Sequence, residues 1–242
     1  MEWRNFKHLF HKSWHKKMKV FIESEECDKI YAFLKKEGRR GKKIAPSSSN
    51  VYRAFYETSL DELEVVIMGM CPYHTFTPRN EPIADGLLMG CSITNKLQPS
   101  LEQFYNAIEV DQYDGINLNY NKNPDVSYLC KQGVLMLNAA LTTEKNKAGS
   151  HLELWEPFIK YLFEEIINEK QVPVVYLGKE TAKYIKYRGI FSHDFPISHP
   201  ASASYKHTEW DCEKVFRKVD MLIQEQGGFG IQWLDVGDTT PY

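Results

Sequence analysis

Five side chains in this 242-residue sequence combine reactive chemistry with positions that can bring reactive groups together: Cys71, Tyr73, His74, Asn138 and His199. They follow short apolar runs that end in glycine, proline or polar residues, a pattern that predicts buried strands of the parallel type, each ending in a turn. The carboxyl ends of parallel strands meet at one edge of a sheet, where open α/β folds hold their ligands. We therefore expect these side chains to line one pocket.

The chemistry of these groups indicates polar recognition and acid-base work. An asparagine amide both donates and accepts hydrogen bonds, so Asn138 can read a polar ring edge, although strand-end asparagines also cap turns. Cys71 is a poor base, because an unperturbed thiol is only a few per cent ionised at pH 7.

The elements that must position these residues alternate between strand and helix. Apolar strands are predicted near residues 64–69, 133–137, 172–177 and 194–198, with helical patterns between them. Such alternation is typical of an α/β protein with a parallel sheet. We predict a three-layer α/β/α fold with a four-stranded parallel sheet, formed by a single domain over residues 1–242.

Composition bounds the class of protein. The chain is 43% apolar and 26% charged, without an 18-residue apolar run or a secretory signal, as in an ordinary soluble protein. Its five scattered cysteines, with no C-x-x-C pair, predict reduced thiols in the cytoplasm. A net charge of −2 gives no overall attraction for nucleic acid, so any such binding must use local patches. The basic run EGRRGKK at 37–43 is expected to be a solvated surface.

The loop at residues 69–74, Gly-Met-Cys-Pro-Tyr-His, resembles the water-activating loop Gly-Gln-Asp-Pro-Tyr-His of the uracil-DNA glycosylase family. Cys71 stands where that family has its catalytic aspartate. Further stretches resemble the family in its own order, and the resemblance runs from about Trp14 to Trp233. These stretches are 43–69, 95–109, 132–150 and 197–204.

The resemblance implies an enzyme that hydrolyses the N-glycosidic bond of uracil in DNA, without a metal ion or cofactor. It assigns the catalytic positions to Cys71, His74 and His199. It assigns substrate contacts to Met70, Tyr73, Asn138 and Cys91. In this assignment Tyr73 excludes the methyl group of thymine, Asn138 selects uracil over cytosine, and His199 stabilises the departing base.

The same resemblance implies a set of contacts to the DNA backbone: Ser47, Ser48, Pro99, Ser100, Gly178, Lys179, Ser202, Ala203 and Ser204. Ser100, followed by Glu102 and Gln103, also predicts a helix start with its hydroxyl as the N-cap. Ala203 occupies the position of the leucine that wedges into the duplex. A small residue there favours uracil in single-stranded or distorted DNA as the substrate.

Three departures from the family pattern leave the function open. Cys71 stands in place of the catalytic aspartate, Cys91 in place of the stacking phenylalanine, and Ala203 in place of the leucine that wedges into the duplex. The loop at 75–85 is longer than its counterpart in the family, and Glu81 or Asp85 in this lengthened loop could return a carboxylate to the water. The alternatives to uracil excision are a catalytically silent DNA-binding or protein-interaction module and a glycosylase for a modified pyrimidine. We expect a monomer without membrane contact, in the cytoplasm or, for a viral protein, in the host cytoplasm or nucleus.

Overall fold

The protein is organised around a four-stranded parallel sheet, seen in a computed structural model that describes residues 1–116 and 120–235. Its strands are β2 (Val65–Gly69), β3 (Val134–Asn138), β5 (Val174–Leu177) and β6 (Asp194–Ile197), in the order β3-β2-β5-β6. β2 and β3 are buried throughout, as expected of parallel strands covered on both faces. The predicted three-layer α/β/α fold class is confirmed.

Helices connect the strands of this sheet. They are α1 (His15–Ile22), α2 (Glu25–Arg39), α3 (Arg53–Glu57), α4 (Pro99–Tyr113), α5 (Ser127–Cys130), α6 (Leu152–Leu162), α7 (Asn168–Lys170), α8 (Lys179–Ala182), α9 (Pro200–Lys206) and α10 (Val215–Glu225). A π-helical turn, Phe163–Ile167, joins α6 to α7. Single 3₁₀ turns are formed by Trp3–Asn5, Lys7–Leu9, Lys12–Trp14, Ser48–Asn50 and Lys183–Tyr187.

Aromatic side chains hold the helices in two groups. In the group formed by α1, α3 and α6, the ring of Phe158 lies 5.0 Å from that of Phe21 and 5.6 Å from that of Phe55. In the other group, Phe104 of α4 packs edge-to-face on Phe216 of α10 at 5.3 Å. Edge-to-face pairs add about 0.5–1.5 kcal/mol each to simple burial. These ring contacts hold together the helices of each group.

A second, two-stranded ladder lies beside the main sheet. β1 (Ile44–Ala45) pairs antiparallel with β4 (Thr143–Glu144), so that a segment before the first sheet strand meets the loop that follows β3. Two residues per strand are too few for an alternation pattern, so the sequence did not predict this ladder.

The prediction that Ser100 caps its helix is wrong. α4 begins two residues earlier than predicted, with Pro99 as its first residue and Gln98 as an N-cap that makes no side-chain bond. Proline is favoured there because it has no N–H to leave unsatisfied. Ser100 is buried and bonds elsewhere.

The single-domain prediction includes residues 117–119 and 236–242, which lie outside the described residues. Within the described residues, no helix combines the length and the apolar character needed to cross a lipid bilayer.

Candidate active site

Asn138 and the loop that starts at Gly69 are adjacent across the sheet. Gly69 and Asn138 are register partners at the carboxyl ends of β2 and β3. The N–H of Ala139 donates to the carbonyl of Gly69 at 2.8 Å, and that of Ala140 donates to the carbonyl of Met70 at 3.0 Å. The pairing therefore continues beyond the strands and fixes the start of the 69–74 loop against the residues after Asn138.

The amide of Asn138 is buried without a partner. The residue is 3% exposed, and neither its Oδ1 nor its Nδ2 has a hydrogen-bond partner within the described residues. Leaving a buried polar group unsatisfied costs about 1–3 kcal/mol. Natural structures satisfy most such groups, so an orphaned donor and acceptor at a sheet edge indicate a site that a ligand completes.

His199 comes from the other half of the same edge. It lies two residues after the end of β6 and beside Gly178, where an added β-carbon would be 3.3 Å from Cβ of His199. The N–H of Ala201 donates to Nδ1 of His199 at 3.0 Å, so in the neutral ring the proton is on Nε2. Burial lowers the pKa of His199 to about 4. The ring is thus a neutral hydrogen-bond donor at pH 7.

Tyr73 is connected to the predicted DNA-contact residues. Its hydroxyl lies 2.7 Å from the hydroxyl of Ser100, and burial raises the pKa of the phenol above its ordinary value. The hydroxyl of Ser204 in turn donates to the carbonyl of Pro99 at 3.2 Å. The bond to Ser100 holds the Tyr73 ring in place. Ser100 belongs to α4, and the bond between Ser204 and Pro99 joins α4 to α9 next to it.

Cys71 is a neutral thiol held by the loop after β4. The N–H of Gly149 donates to its Sγ at 3.2 Å, and burial raises the thiol pKa. A β-carbon added to Gly149 would lie 3.5 Å from Sδ of Met70, so Gly149 also permits the close approach of that side chain. Cys71 is consequently no better a base than an exposed cysteine.

His74 ends the same loop and has an unsatisfied nitrogen. Its carbonyl accepts from the N–H of Asn146 at 2.9 Å, whereas its buried Nδ1 has no partner within residues 1–116 and 120–235. After the amide of Asn138, this is the second orphaned group at this end of the sheet.

The two loop carboxylates considered as substitute bases have very different surroundings. Asp85 is 1% exposed. Its Oδ2 accepts from the hydroxyl of Ser92 at 2.6 Å and pairs with Arg53 at 2.9 Å, while its Oδ1 accepts from the N–H of Leu87 at 3.1 Å. Both oxygens are therefore committed to the protein's own groups, which favours a structural role. Glu81 is exposed on the lengthened loop.

The position next to Asn138 belongs to Leu88, which the sequence did not single out. A β-carbon on Gly69 would lie 2.2 Å from Cδ1 of Leu88 and 3.6 Å from Oδ1 of Asn138, so Leu88 fills the space that Gly69 leaves open. Cys91, aligned with the stacking phenylalanine, is completely buried, and burial raises its pKa to about 11. An aliphatic wall thus borders the amide of Asn138.

The remaining predicted DNA contacts lie mostly at the surface. Ser48, Pro99, Lys179 and Ser202 are exposed, and Ser47, Gly178 and Ser204 are half-buried. Ala203 differs from these, because it is 5% exposed and packs into the core. Two residues further along α9, Tyr205 is 84% exposed. The sequence reasoning missed Tyr205, because a lone tyrosine in a polar helix gives no sign of which way it faces.

This arrangement defines the class of protein: an α/β fold of the doubly wound type whose buried amide, neutral histidine and tyrosine share the carboxyl edge of a parallel sheet. Residues 55–220 match the family model for the uracil DNA glycosylase superfamily. The chain is 30% identical over 232 residues to the uracil-DNA glycosylase of Streptococcus pyogenes serotype M49, covering 93% of this chain and all of that protein. The chain belongs to the uracil DNA glycosylase superfamily, as its motifs predicted.

Solved structures show the same fold at lower identity. The crystal structure of mimivirus uracil-DNA glycosylase superposes with a TM-score of 0.81 at 18% identity, over 95% of this chain and 89% of that one. A mimivirus UNG Y322L variant in complex with UGI gives a TM-score of 0.82, also at 18% identity, over 95% and 90% of the two chains. UNG from Nitratifractor salsuginis gives 0.57 at 16% identity, over 93% and 96%.

Proposed function

We propose that this protein removes uracil from DNA by hydrolysing the N-glycosidic bond. The observation that carries the proposal is the amide of Asn138, buried and unpartnered at the edge of the sheet. Uracil presents a carbonyl acceptor beside a ring N–H donor, and a side-chain amide can complement both at once. Cytosine presents the reversed pattern, so the cost of unpaired buried groups disfavours it.

Exclusion of thymine is assigned to Tyr73. Its ring is held by the 2.7 Å contact between its hydroxyl and that of Ser100. A ring fixed at both ends cannot easily move away from an additional methyl group, and overpacking a rigid site costs about 1–3 kcal/mol. The same rigidity argues against a bulky modified pyrimidine as the substrate.

Stabilisation of the departing base is assigned to His199. As the bond between C1′ and N1 breaks, its electron pair stays on uracil and the sugar becomes cationic. The Nε2–H of a neutral His199 can donate to the developing anion, while Nδ1 is held by the N–H of Ala201. A donor that is already in place, in a site with little water, stabilises charge without reorganisation.

Water attack completes the reaction, and here we propose slow chemistry. The oxygen of water bonds to C1′, and its proton passes to solvent or to the departing base. Burial raises the pKa of Cys71, so its thiol contributes little base catalysis at pH 7. The orphaned Nδ1 of His74 is a further group that can hydrogen-bond to the water. Stabilisation of the leaving group can sustain turnover without a strong base.

The partner is DNA, and we propose single-stranded or distorted DNA as the preferred form, handled by a monomer. Ala203 is buried and too small to wedge into a duplex, so opening a paired site has to rely on other groups. The five cysteines are free thiols, which suits a reducing compartment such as the cytoplasm.

The test is release of uracil from single-stranded and duplex oligonucleotides, read out by alkaline cleavage of abasic sites. The wild type should release uracil and neither thymine nor cytosine. Asn138→Asp should lose activity on uracil and gain it on cytosine, because a protonated carboxyl group can present the reversed pattern. A wild type that is inactive under all conditions, including high enzyme concentration, would refute the proposal.

A second candidate is a glycosylase fold that binds DNA without catalysis. The neutral, hydrogen-bonded thiol at Cys71 is the observation that favours it. Measurements of DNA affinity and of base release distinguish the two functions. A silent module retains affinity for uracil-containing DNA but releases no base, and Cys71→Asp does not restore release.

A further inference from the structure

We propose that the protein carries a separate binding surface for the phosphate backbone of the DNA strand that flanks its target nucleotide. The surface, called the basic ridge, consists of Arg39, Arg40, Lys42, Lys43, Lys145 and Lys147. It lies next to the candidate site but shares no residue with it. The inference rests on the proposed function only in taking DNA as the substrate.

The ridge is assembled by tertiary structure from two segments about a hundred residues apart. The β1–β4 ladder places Ile44 opposite Glu144, and the N–H of Lys145 donates to the carbonyl of Lys43 at 2.8 Å. These contacts bring the EGRRGKK run, which the sequence predicted to be an ordinary solvated surface, beside the 144–148 turn.

The local charge is far from that of the whole chain. The six basic side chains are accompanied by two acidic ones, Glu37 and Glu144, giving a local charge of +4 in a chain of net charge −2. The rest of the chain therefore carries −6. A polyanion such as DNA is attracted by the basic ridge and repelled by the net charge of the rest of the chain. Such asymmetry steers association.

Several of these cations lack full neutralisation. Lys42 and Lys147 share the carboxylate of Glu144, at 2.7 Å and 3.0 Å. Arg39 and Lys43 are exposed and form no ion pair within the described parts of the chain. Exposed unpaired cations are the groups that release counterions when they meet phosphates.

The ridge also leads directly to the catalytic loop. Asn146, between Lys145 and Lys147, donates its N–H to the carbonyl of His74 at 2.9 Å, and Gly149 donates to Cys71. The ammonium of Lys145 lies 5.4 Å from the ring centre of Phe76, a half-buried aromatic in the lengthened loop. A basic track with an aromatic beside it suits a strand with unpaired bases.

The experiment measures binding to uracil-free DNA, so it does not depend on catalysis. Fluorescence anisotropy with labelled oligothymidylates of about 4 and about 20 nucleotides separates the site, which spans a few nucleotides, from a longer track. The double variant Arg39→Gln/Lys43→Gln should bind the long strand more weakly. Its slope of log affinity against log salt should be shallower by about 1.4, from two phosphates at about 0.7 each. Affinity for the short strand should be unchanged.

The matched control is Lys131→Gln/Lys170→Gln, which removes the same charge from exposed lysines that precede β3 and β5, at the opposite edge of the sheet. It should behave as the wild type, and circular dichroism melting should show that both variants are folded. Wild-type affinity and slope in the ridge variant would overturn the inference. So would an equal loss in the control, which would show a general effect of net charge. Uracil release from a separate short oligonucleotide that contains uracil tests the proposed function independently.

Discussion

The thiol of Cys71 accepts a hydrogen bond from the backbone N–H of Gly149 at 3.2 Å, in the loop between β4 and α6. A backbone N–H bonds a carboxylate more strongly than a thiol, because the charge shortens and strengthens the bond. The site therefore contains a donor suited to an aspartate but holds a residue that burial keeps protonated.

Cys71→Asp should accelerate uracil release by about 10²–10⁴-fold, the range that a positioned general base contributes. Single-turnover rates on a single-stranded substrate measure this effect. Cys71→Asn is the control of equal size, and it should not accelerate release because an amide is not a base at pH 7. Equal rates in Cys71→Asp and the wild type would show that another group already activates the water.

Asp85→Asn should lower the free energy of unfolding. The substitution removes a charge from Arg53 and an acceptor from Ser92, and breaking a buried network of this kind costs about 2–3 kcal/mol. Urea denaturation gives the change in unfolding free energy. Glu81→Gln, at an exposed position, should alter stability by less than about 0.5 kcal/mol. Either variant that abolished turnover while remaining fully folded would identify a loop carboxylate as the base.

The pKa of His199 gives a prediction for acid stability. Its folded-state pKa of about 4 lies below the ordinary value of 6.5, so the neutral form favours folding. That contribution is complete above pH 6.5 and is lost as the pH falls from 6.5 to 4, amounting to at most about 3 kcal/mol at 1.36 kcal/mol per pH unit.

His199→Asn provides the comparison, because asparagine cannot titrate, its Oδ1 can replace Nδ1 as the acceptor for the N–H of Ala201, and it is too short to donate from the position of Nε2. Unfolding free energies of the two proteins should diverge between pH 7 and 4.5, with the wild type losing more stability. Parallel curves would mean that His199 titrates normally in the folded protein. At pH 7 the variant should release uracil about 10²–10³-fold more slowly, as expected when one electrostatic donor is removed.

Tyr205→Ala should separate duplex from single-stranded substrates. Tyr205 is 84% exposed on the helix that follows His199, where Ala203 is buried. If the protein flips its target base out of a duplex, we expect Tyr205 to stack against the gap that the base leaves. Loss of one stacking contact, worth about 1–3 kcal/mol, should slow duplex cleavage about tenfold while single-stranded cleavage changes little. Phe229→Ala removes a fully exposed aromatic elsewhere on the surface and should change neither rate. An equal loss on both substrates would assign Tyr205 a general binding role.

The strands and their polar ends could be predicted from sequence because both are local. The runs 65–68 and 134–137 are apolar throughout, and the residues that end these strands are fixed by the pleat and the register. The placement of Asn138 beside Gly69 then follows from parallel pairing alone.

The surroundings of Asp85 and Ser100 could not be predicted in the same way. Asp85 meets Arg53 from another part of the chain, and the Ser100 hydroxyl meets that of Tyr73, so in each case a distant partner outweighs the local preference. The basic ridge could not be predicted from sequence for a similar reason. Its two short basic segments form one surface only because a ladder of two residues per strand joins them.

The bond between the N–H of Leu88 and the carbonyl of Met136, at 3.0 Å, gives the segment after residue 85 a second structural role, at the edge of the sheet. β3 is the border strand of the sheet, and the carbonyls of Val134 and Met136 accept from the Thr58 hydroxyl and from Leu88 instead of facing another chain. An uncovered border strand is a template for self-association. Leu88 also lies against Gly69, beside the Asn138 amide. Substitutions that move Leu88 are therefore expected to promote self-association of the protein as well as to change which base it accepts.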